Sequence, residues 1–298
     1  MIEGEPSQTA RMTALLRAHH FLTAPEPKIL EDSVALPLSG AGTAETLLQQ
    51  FGIVVDIFTD LSDKETAELF VLRTTHAVCM RSRVFEEQLI SGVAQGAEQV
   101  IIFGAGLDTT AYRYATLLGD IPIYEIDHPA TQKWKKATLE AANIAIPDNL
   151  HFVGIDFETQ TLAQALNDAG VKKQKITVMS WLGVTMYLTD DSVKATLGVL
   201  GGFAKNSCLV LDFMMPDYDP SGEFASANVA HLSKVVSEMG EPMISKYSLK
   251  QLEDRLNHAG FGTVKFYQSK ELADLYLDGQ RELYGMPDDV FTLLAASI

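Results

Sequence analysis

The sequence predicts an α/β fold built on a doubly wound, mostly parallel sheet of seven strands with added helical segments. Three observations support this prediction. Short apolar runs alternate with longer amphipathic stretches from about Gln99 onward, as in strand–helix–strand units. The first four runs are apolar almost throughout, as strands covered on both faces must be. The opening stretch of about 95 residues lacks this alternation and is expected to be mostly helical.

Seven short runs, most of them rich in Val, Ile and Phe, are expected to form the strands. They are QVIIFGAG from Gln99, PIYEID from Pro122, HFVGIDF from His151, ITVMSWLG from Ile176, CLVLDFMM from Cys208, TVKFYQ from Thr263 and FTLLAAS from Phe291. Between them lie helix-like segments, such as TQKWKKATLEAAN, LAQALNDAG, SVKATLGVLGGFA and LKQLEDRLNHA. Gly260 follows the last of these, where a glycine is typical of a helix C-terminus. The alternation favours parallel strands joined by right-handed crossovers.

Two segments do not fit the alternation. Residues 1–95 contain three helix-like stretches, TARMTALLRAHHFL, AETLLQQFGIVVDIFTDL and AELFVLRTTHAVCMRSRVFEEQLISGVA. Residues 216–243 separate the fifth and sixth strands. Both segments are expected to cover the carboxyl ends of the strands, where open α/β sheets bind ligands. We therefore expect one domain over 1–298, with a helical cover (1–95), an α/β core (96–298) and a lid insertion at about 216–243.

Composition limits the function classes. Of 298 residues, 47% are apolar and 21% are charged, which suits a large buried core. The formal net charge of −16 argues against binding nucleic acid or an anionic membrane surface. No apolar run approaches the ~20 residues of a membrane span, and the acidic start MIEGEPSQ does not resemble a targeting signal. We expect a soluble, cytoplasmic protein, for which the sequence indicates no oligomeric state.

Cysteine and histidine usage gives no indication of a metal. Cys79 and Cys208 are isolated, which is typical of buried reduced thiols. The sequence has no HExxH motif and no Cys/His cluster, so no metal site is predicted. It also has no GxSxG nucleophile elbow, which argues against a hydrolase of that type.

The strongest local signal is IIFGAGLDTTAYRY, in which a buried strand runs into Gly104 and Gly106. Glycines at this place allow a sharp turn and leave room for a ligand beside the backbone. A dinucleotide-binding fingerprint needs a third glycine at position 109, where this chain has Thr109. Asp108, at the start of the next helix, would repel a pyrophosphate. A cationic or neutral nucleoside is therefore favoured over NAD, although a tight turn without a ligand is the alternative.

Acidic side chains end the next two strands. Glu125 and Asp127 follow the glycines by about 20 residues, the spacing at which a carboxylate binds ribose hydroxyls. Both point to the same face of the strand, so either is a candidate. The third strand ends in Asp156 and Phe157, a pair suited to an adenine amino group and ring. Glycine-rich, acidic and acidic-aromatic turns in this order match the parts of an adenosyl group.

The sequence resembles the leucine carboxyl methyltransferase family, in particular its bacterial branch of polyketide-type, tetracenomycin-like O-methyltransferases. The motifs that carry the resemblance are SQTARMTALLRAHH, ILEDSVALPL, MRSRVFEEQL, IFGAGLDTTAYR, YEIDHPATQKWKK, GIDFE, WLGVTMYLT and GQRELYGMP. They occur in the family's order from Ser7 to Pro287. The resemblance implies a class I methyltransferase fold and S-adenosylmethionine (SAM) as cofactor.

The resemblance also implies residue roles. Gly104 and Gly106 would shape the methionine and ribose pocket, and Asp127 would hold the ribose. Asp156 and Phe157 would flank the adenine.

Two further residues have family counterparts. Arg81 matches the family arginine that pairs with the SAM carboxylate, as a guanidinium fork can, although a surface ion pair is the alternative. Tyr187, in GVTMYL, matches a residue that lines the transfer site.

One departure from the family pattern concerns the cofactor's ammonium group. Where the family usually has a glutamate before GVTMYL, this chain has Leu182. If the glutamate contacts the ammonium, this chain must satisfy that group differently, for example with carbonyls near Gly104 or Ser180. A buried ammonium without a partner costs roughly 1–3 kcal/mol or more.

The predicted activity is SAM-dependent methylation of a carboxylate or hydroxyl oxygen on a small, polyketide-like molecule. A carboxylate acceptor needs no base, whereas a hydroxyl needs one. None of the histidines (His19, His20, His128 and His231 among them) stands out as that base, which favours a carboxylate slightly. The alternatives are a non-catalytic member that binds a nucleoside or a partner protein, and an NAD(P)-dependent oxidoreductase.

Overall fold

The seven strands that the sequence predicts are all present in the computed structural model, which describes residues 6–60, 62–155, 160–216, 223–277 and 291–298. They are β1 (Gln99–Phe103), β2 (Ile123–Asp127), β3 (Leu150–Gly154), β4 (Thr177–Trp181), β5 (Cys208–Met214), β6 (Thr263–Tyr267) and β7 (Phe291–Ser297). β1, β2 and β4 show the continuous burial that their apolar runs predict, with only Asp127 at the end of β2 partly exposed. For β3 the same expectation is wrong, because this strand lies at the edge of the sheet and exposes His151 and Gly154.

The strands form one sheet in the order β3-β2-β1-β4-β5-β7-β6. β1 pairs in parallel with both β2 and β4, and the parallel arrangement continues to β3 and β5. β7 lies antiparallel between β5 and β6. The order reverses between β1 and β4, which makes the carboxyl ends of these two strands the switch point of the sheet.

Helices fill the segments between the strands and the residues before β1. They are α1 (Gln8–Thr23), α2 (Ala35–Leu38), α3 (Ala44–Asp56), α4 (Lys64–Ala94), α5 (Thr110–Arg113), α6 (Ala115–Leu118), α7 (Pro129–Ala141), α8 (Leu162–Asp168), α9 (Asp190–Leu200), α10 (Glu223–Glu238), α11 (Leu249–Ala259) and α12 (Ser269–Tyr276). A 3-10 turn covers Thr185–Tyr187. None of the helices in the described ranges combines the length and apolar character that a membrane span requires.

Two apolar layers sandwich the sheet. On one face, side chains of β1, β4 and β5 such as Ile101, Met179 and Leu209 pack with α8, α9 and α11. On the other face, Val100 and Val178 pack with α4, α5, α6 and α12. Helices on both faces confirm the predicted doubly wound α/β class. Burial on both sides also explains why these strand sequences lack a polar alternation.

Local sequence sets where the helices begin and end. Thr161 and Ser248 each accept the backbone N–H of a glutamine three residues later, and that glutamine's side chain bonds back to them. Such capping boxes satisfy backbone donors that a helix start leaves unpaired. Gly260 ends α11 in the left-handed conformation, with φ of 108°, as the sequence predicts.

The helices before β1 contribute to a separate apolar cluster, which lies at the carboxyl ends of β4 and β5. Leu16 of α1, Phe51 of α3 and Phe70 of α4 pack with Met186, which follows β4, and with Leu232 of α10. The predicted cover and the predicted insertion therefore meet in one hydrophobic cluster. That cluster lies next to the carboxyl ends of the strands, since it includes Met186 after β4 and Met214 at the end of β5.

Close packing of α9 on α11 generates a prediction for two glycines. A Cβ on Gly201 would overlap the backbone carbonyl oxygen of Ala259, whereas a Cβ on Gly198, inside α9, would meet nothing within 4 Å. We expect Gly201→Ala to lower the free energy of unfolding by about 1–3 kcal/mol, the usual cost of overpacking. Gly198→Ala should raise it by about 0.5–1 kcal/mol through helix propensity.

Urea unfolding of both variants beside the wild type measures the two effects. Equal stability of the two variants would show that α9 and α11 are not packed as closely as described.

Candidate active site

A cavity of about 360 Å³ opens at the carboxyl ends of β1 and β4, where the strand order reverses. This volume lies in the range of small-molecule sites. The predicted site residues that line it are Arg81, Gly104, Gly106, Asp108, Asp127, Ser180, Leu182 and Tyr187. Glu125 is not part of this lining. Asp156 and Phe157, the predicted adenine pair, fall outside the described residues.

The loop after β1 is shaped by Gly104 and Gly106, which have φ of 59° and 50°. Both angles are in the left-handed region that favours glycine, and a Cβ on Gly104 would overlap the side chain of Val184. Asp127 holds this loop, because its Oδ2 accepts the Gly106 N–H at 2.5 Å and its Oδ1 accepts the His128 N–H at 2.6 Å. Burial raises the pKa of Asp127, although both backbone N–H groups favour the ionised form.

Glu125 and Asp127 lie on the same face of β2, but their side chains have different partners. Glu125 is completely buried, and its Oε2 lies 2.6 Å from Nζ of Lys135 on α7, which is equally buried. Burial raises the pKa of Glu125 to about 7, and Lys135 opposes that rise. The sequence left both carboxylates as candidate ribose ligands, and only Asp127 reaches the cavity.

A second, smaller cavity of about 200 Å³ adjoins the first and shares Gly104 and Asp127 with it. Its other walls are mainly apolar, with Ile126, Ile155 and Trp181 among them. Ile155 is the residue directly before the predicted adenine-binding pair. Asp127 thus lies between an apolar cavity on one side and the larger cavity on the other.

The larger cavity contains an ion pair that the sequence did not predict. Nη1 of Arg81, on α4, lies 2.7 Å from Oδ2 of Asp212 on β5. Asp212 is 2% exposed, and its Oδ1 accepts the Gly183 N–H at 2.5 Å. The predicted cofactor arginine therefore faces the cavity with a carboxylate as its partner, rather than forming a surface ion pair.

Three other predicted residues occupy the rim of the same cavity. Ser180 is buried near the end of β4, and Leu182 follows that strand directly. Asp108 accepts the Thr110 N–H at 2.8 Å, just before the short helix α5 begins. Leu182 contributes an apolar surface to the cavity and has no charge to offer a ligand.

Tyr187 lies where three parts of the chain meet. It ends the 3-10 turn after β4, and that turn is attached to β5 by Thr185 Oγ1, which donates to the Asp212 carbonyl at 2.6 Å. Its hydroxyl bonds to Thr9, and burial raises the pKa of Tyr187 to about 12. Glu241, after α10, accepts hydrogen bonds from the Thr9 hydroxyl and the Thr9 N–H at the start of α1. The cover, the insertion and the strand edge are thereby joined around the tyrosine.

Comparison with known proteins decides the family. The model of the leucine carboxyl methyltransferase family matches residues 10–201, well over half of the chain.

The chain belongs to the leucine carboxyl methyltransferase family.

Among curated relatives of this family member, the Bacillus subtilis protein YktD, named as an S-adenosyl-L-methionine-dependent methyltransferase, is 27% identical over 291 residues, 95% of each chain. A Mycobacterium tuberculosis protein with the same kind of name is 29% identical over 198 residues, and the match covers 61% of this chain and 55% of that one. Among solved structures, a Bordetella parapertussis protein described as a possible exported protein has 13% identity and a TM-score of 0.52. It covers 98% of this chain and 97% of its own, and the likeness concerns the fold.

The predicted family is thus confirmed for this leucine carboxyl methyltransferase family member, while the polyketide-type branch stays a prediction. Sequence reasoning missed Asp212, Glu241 and Asp32, a fully buried carboxylate that Arg17 contacts at 2.9 Å. Asp212 had a visible signal, because it is a charge inside the apolar run CLVLDFMM. Glu241 had none, since its partners lie more than 230 residues away along the chain.

The buried Lys135–Glu125 pair predicts a pH-dependent effect in the family member's core. Lys135→Met would leave a buried carboxylate without its counter-ion and should cost about 3–5 kcal/mol of unfolding free energy at pH 8. The Glu125 pKa is already above its unfolded value and should rise further. Stability should therefore fall as the pH rises from about 4.5, and the loss should be smaller at pH 5.

Unfolding titrations at pH 5 and pH 8 check this expectation. The double variant Glu125→Gln, Lys135→Met should recover most of the loss at pH 8. A loss that is the same at both pH values would contradict the assignment of Glu125 as the buried partner.

Proposed function

We propose that this protein is a SAM-dependent O-methyltransferase that acts on a carboxylate or hydroxyl group of a small, mainly apolar molecule. The observation that carries the proposal is the set of groups in one cavity at the switch point. Asp127, Arg81 and Asp212 all line it. Asp127 offers an acceptor for ribose hydroxyls, and the Arg81–Asp212 pair offers a cation and an anion.

The residues present fit the parts of the cofactor. Asp127 accepts one backbone hydrogen bond on each oxygen, and a carboxylate has about four acceptor positions, so ribose hydroxyls find free ones. The apolar cavity beside Asp127 suits an adenine ring. Arg81 suits the carboxylate of the methionine part, because a guanidinium binds carboxylates through paired donors. Asp156 and Phe157 remain proposed adenine ligands.

SAM supplies an electrophilic methyl group when it is bound. The chain's own residues then have to align the acceptor oxygen and exclude water. The Tyr187 phenol, whose pKa burial raises to about 12, stays protonated, and it would donate a hydrogen bond to the acceptor oxygen by exchanging its bond to Thr9. A carboxylate acceptor needs no base, whereas a hydroxyl acceptor must lose a proton.

The acceptor part of the cavity is proposed to lie under the cover and the insertion. Leu16 of α1, Phe70 and Val78 of α4 and Leu232 and Val236 of α10 line it. These side chains belong to the apolar cluster that joins the two segments. An apolar chamber with a tyrosine hydroxyl at its edge favours a polyketide-like acceptor over a highly charged one.

The first functional prediction concerns ligand class. Isothermal titration calorimetry should show that SAM and S-adenosylhomocysteine bind with micromolar-range affinity and that NAD does not. Asp127→Asn should weaken S-adenosylhomocysteine binding at least tenfold, since an amide is a poorer acceptor for ribose hydroxyls. Glu125→Gln should change it less than threefold, because Glu125 lies behind the cavity wall.

Saturable NAD binding without a response to S-adenosylhomocysteine would overturn the proposed cofactor. An inverted ranking of the two variants would transfer the ribose role to Glu125.

The second functional prediction concerns the acceptor. SAM with a labelled methyl group, incubated with a panel of small aromatic carboxylic acids and phenols, should give labelled esters or ethers. Leu232→Trp should lower kcat/KM for the best acceptor at least tenfold by filling the chamber, with the S-adenosylhomocysteine affinity within twofold of wild type.

The matched control is Lys234→Trp, whose side chain is exposed on the same helix. It should leave both measurements unchanged. Label transfer to neither class of compound would argue against O-methylation of such molecules, and an equal loss in both tryptophan variants would argue against the chamber.

A further inference from the structure

Asp212 is a charged residue in a strand that is otherwise apolar. The strand β5 has the sequence CLVLDFM, and its residues from Leu209 to Met214 are all buried. Replacing water around a carboxylate costs several kcal/mol unless partners compensate. The partners of Asp212 are the Arg81 guanidinium and the Gly183 N–H. All three residues line the larger cavity.

The backbone around Gly183 is adapted to this arrangement. Gly183 has φ of 71°, in the left-handed region, and a Cβ there would lie 2.9 Å from Nη2 of Arg81. The absence of a side chain lets the guanidinium approach the backbone directly after β4. Leu182, the preceding residue, adds an apolar side chain to the lining of the same cavity. The result is one cation and one anion held together at a cavity surface.

The other carboxylates that line the cavity in the described ranges have partners other than Arg81. Asp127 holds the loop at Gly106, and Asp108 accepts the Thr110 N–H. Glu241 accepts backbone N–H groups at the start of α1. Asp212 is the one among them that contacts Arg81, and its two oxygens retain acceptor positions beyond the two bonds it makes.

We propose that Asp212 binds the ammonium group of the cofactor's amino-acid end while Arg81 binds the carboxylate of the same end. The proposal rests on the proposed function and extends it to the methionine part of the site. An α-amino acid end carries one positive and one negative charge. Asp212 has the charge opposite to the ammonium, and Arg81 has the charge opposite to the carboxylate. Without cofactor, the two side chains neutralise each other. In this arrangement Asp212 takes the place of the family glutamate that is missing at Leu182. The ammonium then has a carboxylate as its partner, instead of the carbonyls near Gly104 or Ser180 that the sequence suggested.

The test compares two ligands that differ at this end. S-adenosylhomocysteine carries the amino-acid group, and 5′-methylthioadenosine has only a methyl group in its place. By calorimetry, Asp212→Asn should weaken S-adenosylhomocysteine binding at least tenfold and change 5′-methylthioadenosine binding less than twofold. The asparagine keeps the shape and an acceptor for the Gly183 N–H, but it loses the charge and places an amide donor opposite Arg81. A deaminated analogue of S-adenosylhomocysteine keeps the carboxylate, so its binding to wild type and to Asp212→Asn within twofold shows that Arg81 is still in place.

Rescue and a wild-type measurement complete the test. In the Asp212→Asn protein, the second change Leu182→Glu should restore part of the affinity for S-adenosylhomocysteine, because position 182 lines the same cavity. At least half of the change in the logarithm of the dissociation constant should be recovered. The deaminated analogue of S-adenosylhomocysteine should bind the wild type at least tenfold more weakly than S-adenosylhomocysteine does. That measurement needs no variant, and equal binding of the two compounds overturns the inference even if Asp212→Asn fails to fold.

Several outcomes would overturn the inference. Equal weakening of both ligands in Asp212→Asn would show that the residue only maintains the shape of the cavity. Equal binding of the deaminated analogue by the wild type would show that the ammonium has no charged partner. If the wild type bound neither S-adenosylhomocysteine nor 5′-methylthioadenosine, the proposed function would fail together with the inference. Binding of S-adenosylhomocysteine that is insensitive to Asp212→Asn would leave that function standing and reject the inference alone.

Discussion

A buried carboxylate, that of Asp32, joins the helices before β1 to the loop on which the site is built. Arg17 of α1 contacts it at 2.9 Å, and Thr109, just before α5, donates to it at 2.8 Å. Burial alone would raise the pKa of Asp32, but the Arg17 and Arg113 guanidiniums outweigh this effect and hold the pKa below its ordinary value. Arg17 also donates to the Leu107 carbonyl in the glycine loop. The position of the cover relative to the loop is therefore set by an ionised group that has no access to water.

Two carboxylates near the end of β2 have different roles because one of them lies deeper in the sheet than the other. Two carboxylates stand two residues apart on the same face of the strand. The inner one, Glu125, is neutralised by Lys135 of α7 and fixes that helix to the sheet. The outer one, Asp127, reaches the switch point and closes the glycine loop. Parallel strands end together at one edge, so the last side chain of a strand is offered to a ligand while the preceding one is covered.

Residues that are far apart in the sequence are in contact on one side of the cavity. Glu241 receives the N-terminal donors of α1, where a helix leaves backbone N–H groups unpaired and favours a negative charge. The same carboxylate lies near Tyr187 and lines the cavity. The helices before β1, the segment with α10 and the end of β4 therefore line one cavity, and a change in any one of them is expected to alter its shape. The ion pair between Arg81 and Asp212 lines the same cavity, and the enclosure strengthens it because it limits solvent screening.

The sequence by itself determined the strands, the burial of the central ones on both faces, the glycine loop and two candidate carboxylates after it. These features follow from local periodicity and from residue types that a turn or a strand end requires, so Gly104 could be found without a structure. Asp127 was distinguished from Glu125 only by the family resemblance. The partners of Glu125, Arg81 and Tyr187 could not be found in this way. Each is chosen by which distant segment packs against it, and strand alternation gives the same direction to Glu125 and Asp127. Only the tertiary structure decided that Lys135 covers one carboxylate, that Asp212 faces Arg81 and that Glu241 caps α1, because electrostatic pairing depends on distances that chain order does not specify.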